Sequence, residues 1–186
     1  ESLFIDRAIS PNIDSFTHYP NLKEITLINP HLSSTKIVIP DDITTLANLK
    51  KLELIGDIEY FPLERLQQLE ELTFMYTEGE NHWVGRDFVE NELLLRFKRD
   101  IHNLPNLKSL EVNFSLNDIR DEDFRYLKKI RIIQNPKFLD FHKIPSLTYI
   151  TVKNINSYGP RGFDRARAVR EMFNNICNCT LLTNLT

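Results

Sequence analysis

A chain of 186 residues with 41% hydrophobic and 26% charged positions has the make-up of a globular protein. It excludes a disordered tail, a collagen and a membrane span, since no apolar run nears the roughly 20 residues a bilayer needs. A net charge of −3 removes the basic footprint of a general nucleic-acid binder, and two cysteines exclude a disulfide-dense scaffold.

From the N-terminus onward one phrase recurs, Leu-x-x-Leu-x-Leu with conservative apolar swaps. Leu3 and Ile5 read as the remnant of a first copy. Glu1, with no initiator Met and no secretory apolar region, predicts a piece of a longer array. Six fuller copies follow: Leu22-Ile25-Leu27, Leu49-Leu52-Leu54, Leu69-Leu72-Phe74, Leu107-Leu110-Val112, Leu127-Ile130-Ile132 and Leu147-Ile150-Val152. Their first leucines are separated by 27, 20, 38, 20 and 20 residues, a spacing that marks stacked units. Each x-Leu-x-Leu-x stretch alternates with period two and reads as a short strand with one buried face. Parallel strands centred near Ile25, Leu52, Leu72, Leu110, Ile130 and Ile150 are predicted, stacked in chain order around one continuous core.

The longer steps leave room for helices. Between Gly85 and Pro105, Phe88, Leu94, Phe97, Ile101 and Leu104 recur at helical spacing. After Gly162, Ala166, Val169, Phe173, Ile176 and Cys177 do the same. A 20-residue step leaves about ten residues outside the strand and its turns, enough for an extended return or a 3₁₀ turn. At the end, Leu182-Thr183-Asn184-Leu185-Thr186 matches Leu46-Ala47-Asn48-Leu49-Lys50 in residue type. That match places Leu185 as the first leucine of an interrupted copy, 38 residues after Leu147.

On these residues the chain resembles the leucine-rich-repeat family over nearly its whole length. The resemblance implies an α/β fold, a leucine-rich-repeat solenoid. Its curved parallel sheet would have short returns and two convex-side helices, in a single domain over residues 1–186 of about seven repeats, truncated at both ends. The family places Asn three residues after the last strand leucine, where its amide satisfies loop backbone groups. Here that position holds Asp57, Thr77, Ser115 and Asn135 in four copies, and Pro30 and Ile155 in the other two, so the member is an irregular one. Cys177-Asn178-Cys179 is similar to the start of the cysteine-rich cap of secreted members. The second pair of cap cysteines is missing, and two reduced thiols are the other reading.

Catalytic constellations do not emerge from the motifs. Glycines stand only at 56, 79, 85, 159 and 162, and neither a phosphate-cradling loop nor a nucleophile elbow can be built from them. The histidines at 18, 31, 82, 102 and 142 lack metal-ligand spacing. Asp140-Phe141-His142 and Asp121-Glu122-Asp123 read as surface loops, the latter without the calcium pattern. The basic group Lys153, Arg161, Arg165, Arg167 and Arg170 reads as a solvated helix face. No enzyme, no metal and no cofactor are expected.

Strand alternation also gives the outward positions. The first outward column is Glu24, Lys51, Glu71, Ser109, Lys129 and Tyr149; the second is Thr26, Glu53, Thr73, Glu111, Arg131 and Thr151. The third is Ile28, Ile55, Met75, Asn113, Ile133 and Lys153, apolar in four copies although it points away from the core. An apolar stripe beside charged rows reads as a protein-binding surface. The expected contact set is Ile28, Glu53, Ile55, Thr73, Met75, Glu111, Arg131, Ile133 and Tyr149. The expected function is non-enzymatic binding of another protein, with no nucleic acid and no membrane span, in an oligomeric state left open. The family resemblance points to irregular intracellular arrays. The nearest likeness is to substrate-receptor subunits of F-box-type ubiquitin ligases, with intracellular immune receptors similarly irregular. The alternative is the ligand-binding ectodomain of a secreted or cell-surface receptor, with Cys177 and Cys179 in its cap.

Overall fold

The computed structural model describes residues 1–6, 14–29, 36–76, 92–113, 126–132, 144, 146–152, 170 and 183–185. Among the described residues, eight strands form one open sheet in chain order. They are β1 (Ser2–Asp6), β2 (Glu24–Ile28), β3 (Lys51–Gly56), β4 (Glu71–Tyr76), β5 (Ser109–Val112), β6 (Lys129–Ile132), β7 (Tyr149–Val152) and β8 (Asn184–Leu185). Every neighbouring pair is parallel. Each predicted strand centre lies on a strand. A parallel neighbour needs a crossover of a dozen or more residues, which even the 20-residue copies supply. The repeated parallel strands are compatible with a solenoid.

Register carries the repeat from sequence into packing. Leu3, Ile25, Leu52, Leu72, Leu110, Ile130, Ile150 and Leu185 form one row across all eight strands. From Ile25 to Ile150 that row is fully buried. Leu27, Leu54, Phe74 and Val112 form a second buried row, and Leu22, Leu49, Leu69, Leu107, Leu127 and Leu147 are buried ahead of the strands. Leu3 and Ile5 are half-buried against the same core on the edge strand.

The turn before each strand repeats as well. Leu49 N–H donates to Leu46 O, Leu69 to Leu66, Leu107 to Leu104 and Leu147 to Ile144. The carbonyl just ahead of each of β2–β6 then takes two N–H groups from the next copy. Lys23 O accepts from Lys50 and Lys51, and Lys50 O from Glu70 and Glu71. Glu70 O, Lys108 O and Lys128 O do the same for their successors. Apolar residues therefore recur every three positions through the turn and into the strand, so matching residue types does not fix the phase of a copy.

The last copy shows this. Leu185 pairs with Ile150, and Thr183 N–H donates to Thr148 O. Leu185 is therefore a strand position, and the first-leucine position falls at 182, three residues earlier than the sequence match placed it.

Connections differ from copy to copy on the core side. Asp41–Thr45 and Leu63–Arg65 form 3₁₀ turns that bury Ile43 and Leu63. The first long step carries α1 (Glu92–His102). Phe97 and Ile101 face the core, and Pro105 follows close behind to prevent continuation. Phe97 is the anchor of α1, edge-on to Phe74 at 4.7 Å and to Phe61 at 5.7 Å. Phe88 and the expected helix after Gly162 lie outside the described residues, apart from Arg170, which is helical and exposed.

Candidate partner-binding face

The outward columns stand where alternation put them. The first runs Ser2, Glu24, Lys51, Glu71, Ser109, Lys129 and Tyr149; the second runs Phe4, Thr26, Glu53, Thr73, Glu111, Arg131 and Thr151. In the third, Asp6, Ile28, Ile55 and Met75 lie side by side on four adjacent strands. Ile28, Ile55 and Met75 are half-buried, each flanked along its strand by a residue whose side chain enters the core. Asn113 follows β5 and is half-buried. Ile133 and Lys153 lie outside the described residues.

Of the expected contact set, Ile28, Glu53, Ile55, Thr73, Met75, Glu111, Arg131 and Tyr149 share this one face, all half-buried. Lateral pairing modifies their chemistry. Arg131 Nη1 lies 2.8 Å from Glu111 Oε1 across neighbouring strands, so these two charges satisfy each other before any partner arrives. Lys129 Nζ sits 5.4 Å from the centre of the Tyr149 ring, within cation–π range. Thr26 Oγ1 donates to Glu53 Oε2 at 3.4 Å, and Ser2 Oγ to Glu24 Oε2 at 3.3 Å. Thr151 is buried although its column points outward.

Three features escaped the sequence reading. Phe4 is 64% exposed in the second column, where an apolar residue on an isolated Leu-x-Ile remnant carries no signal of its direction. Glu70, just ahead of β4, bonds Lys108 Nζ at 2.6 Å and Lys50 Nζ at 2.8 Å. Those hydrogen bonds, the one from Lys108 foremost, lower its carboxyl to about 2. Asp100, on α1, is buried and accepts the Leu63 N–H at the start of the second 3₁₀ turn, 3.2 Å away. Burial foremost, then the adjacent Glu64 carboxyl, raises Asp100 to about 7. Burial also raises the Tyr60 hydroxyl beside it.

At the end of β3, Gly56 has φ +124°, and a Cβ there would lie 2.4 Å from Asn29 O. Buried Asn29 follows β2, its N–H donating to Ile55 O at 2.7 Å and its Nδ2 to Asp57 O at 3.1 Å. An asparagine thus holds the loop backbone, one residue earlier than the expected ladder position. Of that ladder only Asp57 is among the described residues. Asp121-Glu122-Asp123, Asp140-Phe141-His142, Cys177 and Cys179 also lie outside them.

Among the described residues, no group of three or more His, Cys, Asp and Glu is placed to hold a metal ion, and no helix is long and apolar enough to cross a membrane. No protein-family model matches the chain, and no curated protein is significantly similar to it.

Proposed function

We propose that this chain is an irregular leucine-rich-repeat array that works as a non-catalytic module, gripping a protein partner on the outward face of its sheet. The observation that carries the reading is the third column. Ile28, Ile55 and Met75 stand in register on the face opposite the core, where burial within the fold gives an apolar side chain no reason to be. Charged rows lie beside them, the arrangement in which apolar anchors supply affinity and charges set register and partner choice. Within that class, unequal copies resemble intracellular arrays, and the F-box-type substrate receptors of ubiquitin ligases are the nearest likeness. That narrower step is an analogy of architecture.

The test is the variant Met75→Lys, measured against a bound partner protein and by thermal unfolding. Loss of binding with a nearly unchanged melting temperature is the expected result. Loss of folding makes the third column core. Undiminished binding by the folded variant moves the site off this face.

A further inference from the structure

We infer that the outward face over β1–β4 is built for a basic, apolar-flanked segment of a partner protein, lysine or arginine side chains alternating with aliphatic or aromatic ones. The inference rests on the reading of this face as the binding surface and adds the chemistry of what it binds.

Carboxylate charge on this part of the face is left uncompensated within the fold. In columns one and two, β2–β4 carry Glu24, Glu53 and Glu71 against the single cation Lys51. Among the described residues no cation lies within ion-pair distance of any of the three carboxylates. Hydroxyls of Ser2 and Thr26 reach Glu24 and Glu53, but a hydroxyl leaves the charge uncompensated. Two other carboxylates along the sheet are neutralised within the fold. Glu111 is paired with Arg131, and Glu70 is held between Lys50 and Lys108. The uncompensated group is therefore local, and it borders the only part of the described face that is also apolar. Ile28, Ile55 and Met75 run along one side of it, with exposed Phe4 at its β1 edge.

Geometry sets the scale of the segment. Neighbouring strands lie about 4.8 Å apart, so three anchors in one column span roughly 10 Å, about three residues of extended chain. A segment crossing the strands therefore meets the apolar column and the carboxylates together. Partner charges compensated there steer encounter and make binding salt-dependent, while the apolar anchors govern release.

A library of random dodecapeptides displayed on phage, selected on the immobilised chain, tests this. The expected pool is enriched in Lys and Arg beside aliphatic or aromatic residues. A synthetic peptide from that pool should bind about tenfold more weakly to the Glu53→Gln, Glu71→Gln double variant, and its affinity should fall as salt rises. Met75→Lys should weaken it as well. A pool without basic excess, or a double variant that binds like the parent chain, overturns the charge inference; if Met75→Lys still abolishes binding, the face itself stands. If Met75→Lys has no effect, the reading of the face falls. A selection that enriches nothing overturns both.

Discussion

Across β2–β7 the inward row Ile25, Leu52, Leu72, Leu110, Ile130 and Ile150 varies only between leucine and isoleucine. The outward row one residue later, Thr26, Glu53, Thr73, Glu111, Arg131 and Thr151, changes chemistry from strand to strand. Both rows belong to the same strands with the same backbone pairing, so strand propensity does not separate them. Burial does. Each inward side chain fills the space between copies before and after it, and close packing tolerates little change in volume there. Outward side chains other than buried Thr151 lie beside lateral neighbours and are not packed in the core, which leaves their identity free to vary.

The largest effect that tests this contrast is Leu110→Ala. It should cost about 2–5 kcal/mol in denaturant unfolding, and a cost near zero would mean that inward and outward had been exchanged. Gly56→Ala comes next, at about 1–3 kcal/mol. Its Cβ would run into the Asn29 backbone, which cannot swing aside as a side-chain tip can.

On the α1 side the contrast is sharpened by pH. The Asp100 carboxyl is raised from 3.8 to about 7, so the folded state holds a proton that the unfolded chain has lost. The stability it adds is complete below 3.8 and is lost as pH rises toward about 7. Asp100→Asn keeps an oxygen for the Leu63 N–H and should flatten that slope in thermal unfolding across the window. Glu70 works in the opposite sense. Its folded value of about 2 lies below the ordinary 4.5, so its contribution is present above 4.5 and lost as pH falls toward 2. Glu70→Gln should soften the acid limb of the stability curve, and added salt should mimic it. The smallest effect belongs to the outward face. Met75→Lys alone should shift stability by no more than about 0.5 kcal/mol.

The strands, their parallel order and the inward rows were legible because a half-buried strand writes its burial directly as period two. Eight of the nine expected contact residues fall on one face for the same reason. The phase of the last copy was not legible. The turn adds apolar residues at a spacing of three, and Leu182-x-x-Leu185 fits either frame until pairing with Ile150 decides it. Nor was the pairing of Glu111 with Arg131. They lie 20 residues apart in sequence and meet only through register. Asp100 was hidden for a different reason: helical periodicity marks apolar positions, and Asp100 is a charged residue buried among them.

Each strand pairs only with its chain neighbours, and this has a mechanical consequence. Pulled from the two ends of the sheet, the rungs are loaded one after another rather than together, as in a zipper. A force spectrum should then be a series of small steps instead of one large rupture. The steps should be unequal, because each releases the chain held between successive strands. A 20-residue copy yields about 7 nm of contour and the 38-residue copy between Leu69 and Leu107 about 13 nm. The irregular copy lengths thus become a ruler, and the sequence of step sizes would read out the order in which the copies let go.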